Sequence, residues 1–449
     1  MRLAALVLAL LAGLLVPAAA QAAPASGSPN SPLLPPEVAR NLHHASPQST
    51  IYAAVTDYPA ELRALTHVLN NYTNADDARV HAGMIMLYQG HGRPEFLAAV
   101  KADTAILRAL RRFVVRHLGF FGTDRAYLVH NATRELGRFL QHRDLAARVR
   151  PLLVDLIRRG DVVGRLAPMW VGVAEMADWY DKANCRAYRT CDFREQINRR
   201  VLGIRYTCST TLRIRAQQLT TDELRRTCTS LAGQDAVFHG LVRDPGPVAG
   251  DLNTALEVVV FDSSTDYRTY AGVMFDIDTN NGGMYLEGDP SKAGNQPRFI
   301  AYEAEWLRPE FQIWNLNHEY THYLDGRFDL YGDFEENMKT PTVWWVEGFA
   351  EYVSYHYRGV VYDRALAEAK LRTYALSTLF DTTYDHDTKR VYNWGYLAVR
   401  YLVEKHPEDV TTVLAKYRVG DWAGARDHLT RMIGNRYDTD WYTWLSSLQ

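Results

Sequence analysis

His318-Glu319-Tyr320-Thr321-His322 places two imidazoles four residues apart, with a carboxylate directly after the first. On a helix, positions i and i+4 stack on one face. Both rings then reach one tetrahedral metal at ~2.0–2.1 Å, and Glu319 stands beside the coordination position left open. A metal held there lowers the pKa of water to ~7, and Glu319 is placed to take the proton. The spacing alone arises by chance in roughly 3 of 100 chains of this composition, so neighbouring sequence must carry the assignment. Catalytic zinc takes a third protein ligand. Trp344-Trp345-Val346-Glu347-Gly348-Phe349-Ala350-Glu351-Tyr352 reads as a second helix with Glu347 and Glu351 on one face. Glu347, 25 residues past His322, is the expected third ligand. Glu351, one turn on, is suited to orient a ligand histidine through its free ring N–H. Either glutamate singly fits a solvated helix face equally well. Two acids in an aromatic-rich helix just after the histidine pair favour the metal. The chemistry is that of a zinc hydrolase.

The elements that must hold these residues follow from periodicity. Residues 24–36 are rich in Pro, Ser and Ala, whereas about 50–180 place apolar residues at three- and four-residue spacing, as in Ala60 to Asn70, Glu95 to Val115 and Leu145 to Arg159. This predicts stacked helix pairs resembling an α-solenoid, although no strict period marks repeats. The character shifts after about residue 205. Thr220-Thr221-Asp222-Glu223 has the capping-box arrangement and opens a helix towards His239. Leu256 to Phe261 reads as a buried strand, Asn280-Asn281-Gly282-Gly283 as a turn, Met284 to Glu287 as a short strand and Arg298 to Glu303 as another. From about Pro309 helices dominate. A small sheet followed by helices predicts an α+β, mostly helical fold.

The 449 residues, 47% of them hydrophobic, supply ample core and argue against a disordered or collagenous chain. A net charge of −2 gives no bulk case for nucleic acid or an anionic membrane. Arg2, the apolar run Leu3 to Val16 and Ala20-Gln21-Ala22 read as an export signal, cleaved near Ala22 or Ala23. That run is too short for a ~20-residue membrane crossing. All four cysteines fall within one 44-residue window, and an exported chain meets oxidising conditions. Of the three possible pairings, Cys185–Cys191 and Cys208–Cys228 are favoured because neighbouring bridges staple local loops. A four-cysteine zinc site is the alternative, but the spacings lack the short knuckle such sites prefer.

Three stretches carry a resemblance: Asn280 to Glu287 (NNGGMYLE), His318 to Gly332 (HEYTHYLDGRFDLYG) and Trp345 to Glu351 (WVEGFAE). They are similar to the bacterial collagenases of the Vibrio and clostridial type, zinc peptidases of the gluzincin group, with the longer context nearer the Vibrio branch. With the export signal read at 1–22 and a leader at 23–49, the resemblance implies a helical activator domain at 50–204 and a gluzincin-type peptidase domain at 205–449. Cys208–Cys228 would then tie the opening strand of the second domain to its first helix. His318, His322 and Glu347 correspond to the zinc ligands and Glu319 to the general base. A calcium ion beside the zinc is implied too, held by the Glu287 side chain and the backbone carbonyls of Gly326, Leu330 and Gly332. Calcium takes oxygen ligands, and glycines permit the tight turn that points carbonyls inward. From the residues alone, Gly326 reads as a helix C-cap and Gly332 as a turn. Gly282-Gly283 corresponds to the edge segment that holds the substrate backbone, where glycine lets another chain approach. Tyr392 corresponds to the residue that stabilises the oxyanion, with Tyr396 as the fallback.

The resemblance therefore implies a secreted zinc metalloendopeptidase, extracellular or periplasmic, acting on collagen, gelatin or similar peptides. Its cofactors would be one catalytic zinc and one structural calcium. Its expected partner is the protein substrate alone, with no nucleic acid and no membrane span, and its working state a monomer. Only 127 residues follow His322, so the family's helper subdomain is expected to be shortened or absent and its accessory modules missing. A zinc peptidase for general unfolded peptides is the near rival, and a non-catalytic binding module the far one. The intact set His318, Glu319, His322 and Glu347 argues against the latter.

Overall fold

The computed structural model describes Leu33, Val55 and residues 57–448; the export signal and most of the leader lie outside the described residues. Helices α1 (Tyr58–Asn70), α2 (Asp77–Gly90), α3 (Pro94–Ala102), α4 (Ala105–Arg116), α5 (Ala126–Arg138), α6 (Arg143–Ile157) and α7 (Ala167–Tyr180) lead off. The stretch Glu95 to Val115, read from sequence as one periodic segment, breaks at Asp103-Thr104. The Asp103 carboxylate accepts from the Ala105 amide and so competes with the helical pattern. Helices α5 and α7 pack against each other through buried charge: Arg134 pairs with Glu175 across the contact at 2.8 Å, while Arg138 pairs with Glu135 within α5 at 3.2 Å. After α8 (Phe193–Arg200) the chain enters a five-stranded sheet.

The strands are β1 (Ile204–Thr207), β2 (Leu212–Ala216), β3 (Leu256–Phe261), β4 (Met284–Leu286) and β5 (Arg298–Tyr302), in spatial order β1-β2-β3-β5-β4. β2, β3 and β5 run parallel, with antiparallel β1 and β4 on the two edges. The parallel steps need helical crossovers: α9 (Thr221–Val242) follows β2 and α10 (Ser264–Phe275) follows β3. The Thr220–Glu223 capping box is present, with Glu223 accepting from the Thr220 amide at 2.7 Å and Thr220 accepting in return at 3.2 Å. β2 alternates, and in Leu212-Arg213-Ile214-Arg215-Ala216 the three apolar members are buried.

Strand alternation divides the core between the two faces of the sheet. Val259, Phe261, Ile300 and Tyr302 join α10 and the N-terminal helices in one continuous apolar cluster. Val258, Val260, Phe299 and Ala301 face α9 and the C-terminal helices in another. The N-terminal helical layer thus shares its core with one face of the sheet, and the apolar contact does not stop at residue 205. Cys185–Cys191 and Cys208–Cys228 are both bonded, the second joining the end of β1 to α9.

On the second face lie α11 (Leu316–Phe328), α12 (Val343–Arg358), α13 (Gly395–Lys405), α14 (Pro407–Tyr417) and α15 (Asp438–Ser447). α12 and α13 cross at two glycines. A Cβ on Gly348 would stand 2.4 Å from the Gly395 carbonyl, so only glycine permits that approach. Among the described residues, no helix is long and apolar enough to cross a membrane. Gly348→Ala should lower the thermal midpoint, overpacking of this kind costing ~1–3 kcal/mol. Gly240→Ala, on a helix with open space around it, should leave the midpoint unchanged or slightly raised. Equal midpoints for the two variants would show that the helix crossing tolerates a side chain.

Candidate metal centre

α11 carries the histidine pair and is buried on nearly every side: His318, Glu319, Thr321, His322 and Asp325 are all inaccessible or nearly so. A polar helix survives such burial only if its groups find partners. α9 supplies several. Gln234 donates to the Asn317 carbonyl at 2.8 Å and to Thr321 Oγ1 at 2.9 Å, and accepts from Asn317 at 2.7 Å. Tyr320 donates to Asp235 at 2.6 Å. From α12, the Trp345 indole donates to Asp325 at 3.2 Å. Arg418, just past α14, donates to Asp329 at the helix C-terminus at 2.5 Å, a favourable charge-assisted contact. The helix is thereby fixed in rotation and in height.

With α11 fixed, the ligand atoms converge. His318 Nε2 and His322 Nε2 are 3.1 Å apart, and Glu347 Oε2 lies 3.3 Å from the first and 3.5 Å from the second. Ligand atoms on a tetrahedral metal at ~2.0–2.1 Å sit ~3.3–3.4 Å apart. The three atoms therefore form one face of a tetrahedron of the size zinc requires, and all three residues are buried. Two imidazoles and one carboxylate also suit zinc in kind. His318 Nδ1 lies 3.8 Å from Glu351 Oε1, which places Glu351 behind the first histidine. Burial works against a charged His318, yet Glu347 and Glu351 outweigh it and hold its pKa up, at about 10. Only neutral imidazole ligates, so a cation at the shared position would take the place of that proton.

Glu319 follows His318 and is fully buried. The Gly282-Gly283 step lies over it. A Cβ on Gly283, whose φ is +140°, would stand 3.8 Å from Glu319 Oε1 and 3.3 Å from the Ile300 carbonyl. One on Gly282 would collide with Trp314 and Asn315. The turn is pinned from α10, where the Tyr267 hydroxyl donates to Asn281 at 2.6 Å, and Asn281 also accepts from the Gly283 amide at 3.3 Å. β4, which follows at once, is an edge strand.

Tyr392 lies in the π-helical turn Lys389–Trp394, its ring centroid 6.3 Å from that of His318. Such turns insert one residue per helical turn and are frequent at functional sites. Tyr396 is turned elsewhere, into a cluster with Tyr352, Tyr355 and Tyr362. Sequence reasoning missed Tyr384, whose hydroxyl donates to Glu347 Oε1 at 2.6 Å. Burial, with Glu347 beside it, pushes that phenol well above its usual range and keeps it a donor. Nothing in Asp381-Thr382-Thr383-Tyr384 marks it, because the contact spans 37 residues.

Gly326 lies inside α11 rather than at its C-cap, since the helix continues to Phe328. Its missing side chain admits Glu287, whose Oε1 sits 2.5 Å from where a Cβ would stand. Burial pushes the Glu287 carboxyl up to about 8, and Asp251 and Asp333 add to the shift. Gly332 has φ +90°, and a Cβ there would meet Glu336. A second cluster, His406, Glu408 and Asp409, also brings ligand atoms together, but Asp409 is engaged by His428 at 2.7 Å and Tyr437 at 2.8 Å.

A family model described as collagenase matches residues 156–444. The chain belongs to the collagenase peptidase family. Among its relatives, the microbial collagenase of Vibrio alginolyticus is 39% identical over 372 residues, covering 82% of this chain and 45% of the relative. That of Vibrio parahaemolyticus serotype O3:K6 is 36% identical over 396 residues, covering 86% and 48%. The collagenase ColA of Clostridium perfringens is 24% identical over 235 residues, covering 48% and 20%. The chain spans slightly under half the length of the Vibrio collagenases it matches. The family match includes β1 to β5, the histidine pair and Glu347, but of the N-terminal helices only the end of α6 and those after it.

Tyr384→Phe should weaken zinc binding ~10–100-fold, the effect expected when a ligand carboxylate loses its supporting donor. Competition against a chelator of known affinity measures this. An unchanged affinity would reduce Tyr384 to a packing residue.

Proposed function

We propose that this chain is a secreted zinc endopeptidase that hydrolyses peptide bonds in collagen-like or gelatin-like chains. The observation that carries the reading is the triangle of His318, His322 and Glu347 ligand atoms, with Glu319 on the same helix beneath a glycine step that borders an edge strand. Membership of the collagenase family and the names of the Vibrio relatives support the substrate class. Residues 1–22 serve as the export signal, 23–49 as a leader, 50–204 as a solenoid-like activator unit and 205–449 as a gluzincin-type catalytic unit. The enzyme works as a monomer.

When bound by His318, His322 and Glu347, a zinc ion supplies Lewis-acid chemistry, acidifying water and favouring negative charge on the reacting carbonyl oxygen. The remaining work falls to the chain. Glu319 takes a proton from the attacking water and returns it to the leaving amine nitrogen. Its depth excludes competing solvent and strengthens its electrostatic action. Glu351, 3.8 Å from His318 Nδ1, favours a proton on that nitrogen by its charge and leaves Nε2 for the metal. Tyr392, beside His318, donates its hydroxyl to the oxyanion. The substrate backbone lies along the Gly282-Gly283 step and β4, where main-chain pairing reads an extended peptide whatever its side chains.

A calcium ion is proposed beside this centre, held by the Glu287 side chain and the carbonyls of Gly326, Leu330 and Gly332. The buried Glu287 carboxylate, with Asp251 and Asp333 near it, is a cluster of negative charge that a divalent cation would relieve.

Glu319→Gln should abolish turnover while zinc stays bound at unit stoichiometry; retained turnover in the metal-replete variant removes Glu319 from the mechanism. Mature protein incubated with triple-helical collagen, gelatin and casein should cleave gelatin or collagen well ahead of casein, and a zinc chelator should stop it. Cleavage of casein alone would keep the zinc chemistry and favour a peptidase for general unfolded chains. Adding calcium to stripped protein should raise the thermal midpoint, and Glu287→Gln should remove that increment.

A further inference from the structure

A cavity of about 720 Å³ opens on the His318 side of the metal position, walled by the segment leading into α11 and by the far end of α12. Its position relative to a bound peptide follows from the sheet. β4 begins at the glycine step, which lies against Trp314 and Asn315 in the cavity wall. It ends beside Glu287, which lies against Gly326 towards the other end of α11. β4 therefore runs away from the cavity. A peptide that adds to this free edge in the more stable antiparallel sense runs towards it. The residues following the cleaved bond then enter the cavity.

The mouth of that cavity is positive. Arg226, Arg358 and Arg364 line it, and all three are exposed. The Arg226 guanidinium lies over the Phe311 ring at 5.3 Å, and that of Arg358 over Tyr355 at 4.9 Å. Arg358 Nε donates to the Ser354 carbonyl at 3.1 Å, which fixes the side chain with its guanidinium at the mouth. Arg364 is close enough to act electrostatically on the same tyrosine, so two guanidinium groups share one side of the opening. Of the carboxylates in the lining, Glu351 is buried behind His318, which leaves Asp363 as the acid at the mouth. Planar guanidinium groups held on aromatic faces are suited to bidentate recognition of carboxylate.

We propose that this cavity is a subsite for a carboxylate on the C-terminal side of the cleaved bond, either an Asp or Glu side chain or the free chain end. The proposal rests on the peptidase reading for the direction of the substrate.

The test uses full-length, zinc-loaded Glu319→Ala protein, so that binding is read without turnover. Fluorescein-labelled gelatin-like peptides carry Glu or Gln after the cleavage position, each with a free or an amidated C-terminus. The expected result is roughly tenfold tighter binding of the peptides bearing a carboxylate, abolished by combining Arg226→Gln, Arg358→Gln and Arg364→Gln and by high salt. Gln peptides with amidated ends should bind equally to both proteins. The Glu and free-end arms tell a side chain from a chain terminus. Equal binding of all four peptides to the parent protein overturns the subsite. Cleavage of the neutral peptide by wild-type protein reports separately on the peptidase reading, so the two can fail independently.

Discussion

The burial of a polar helix is the constraint on which the rest of this molecule depends. α11 carries two imidazoles, two carboxylates, an amide and a threonine hydroxyl inside the protein, where each group without a partner costs ~1–3 kcal/mol. A helix of that kind has little apolar surface with which to choose its own place. Its position is set by what meets it: Gln234 and Asp235 on one side, Trp345 on another, Arg418 at the end. Those contacts fix the axial rotation that decides whether the two Nε2 atoms face one point.

The same logic explains why glycine recurs around the centre. Gly348 and Gly395 bring α12 and α13 into backbone contact immediately beside Glu347, so that carboxylate is carried on a closely packed helix pair. Gly282 and Gly283 let the turn before β4 descend onto Trp314, Asn315 and Glu319. Gly326 opens α11 to Glu287. At each place a Cβ would occupy the space of a neighbouring group, and a side chain there would push apart the elements packed around the centre. The glycines act by exclusion of volume, which is a property of packing rather than of flexibility.

The N-terminal helices bear on the site less directly. They share an apolar cluster with α10 and with one face of the sheet, while the metal-site helices occupy the other face. Tyr267 bridges the two: it is buried in the first cluster, and its hydroxyl holds Asn281 in the turn over Glu319. A displacement of the helical layer therefore has a physical route to the glycine step, through α10.

Local chemistry in the sequence was enough to bring forward the histidine pair, Glu319 between its members, both glutamates, the capping box and the strands β3 and β5. Each of these depends on spacings within one helical turn or one strand, where backbone geometry fixes which side chains are neighbours. The extent of α11 was less legible: Gly326 resembles a C-cap, but Asp325 accepts from Trp345 and the helix continues two residues further. Tyr384 on Glu347, the exclusion of Tyr396 from the centre, the cavity beside His318 and the sharing of one core between the helical layer and the sheet were decided by tertiary structure alone. These contacts join residues tens of positions apart whose identities carry no local period. Their selection is made by how whole elements pack, because a side chain finds its distant partner only after helix rotation and sheet order have been settled.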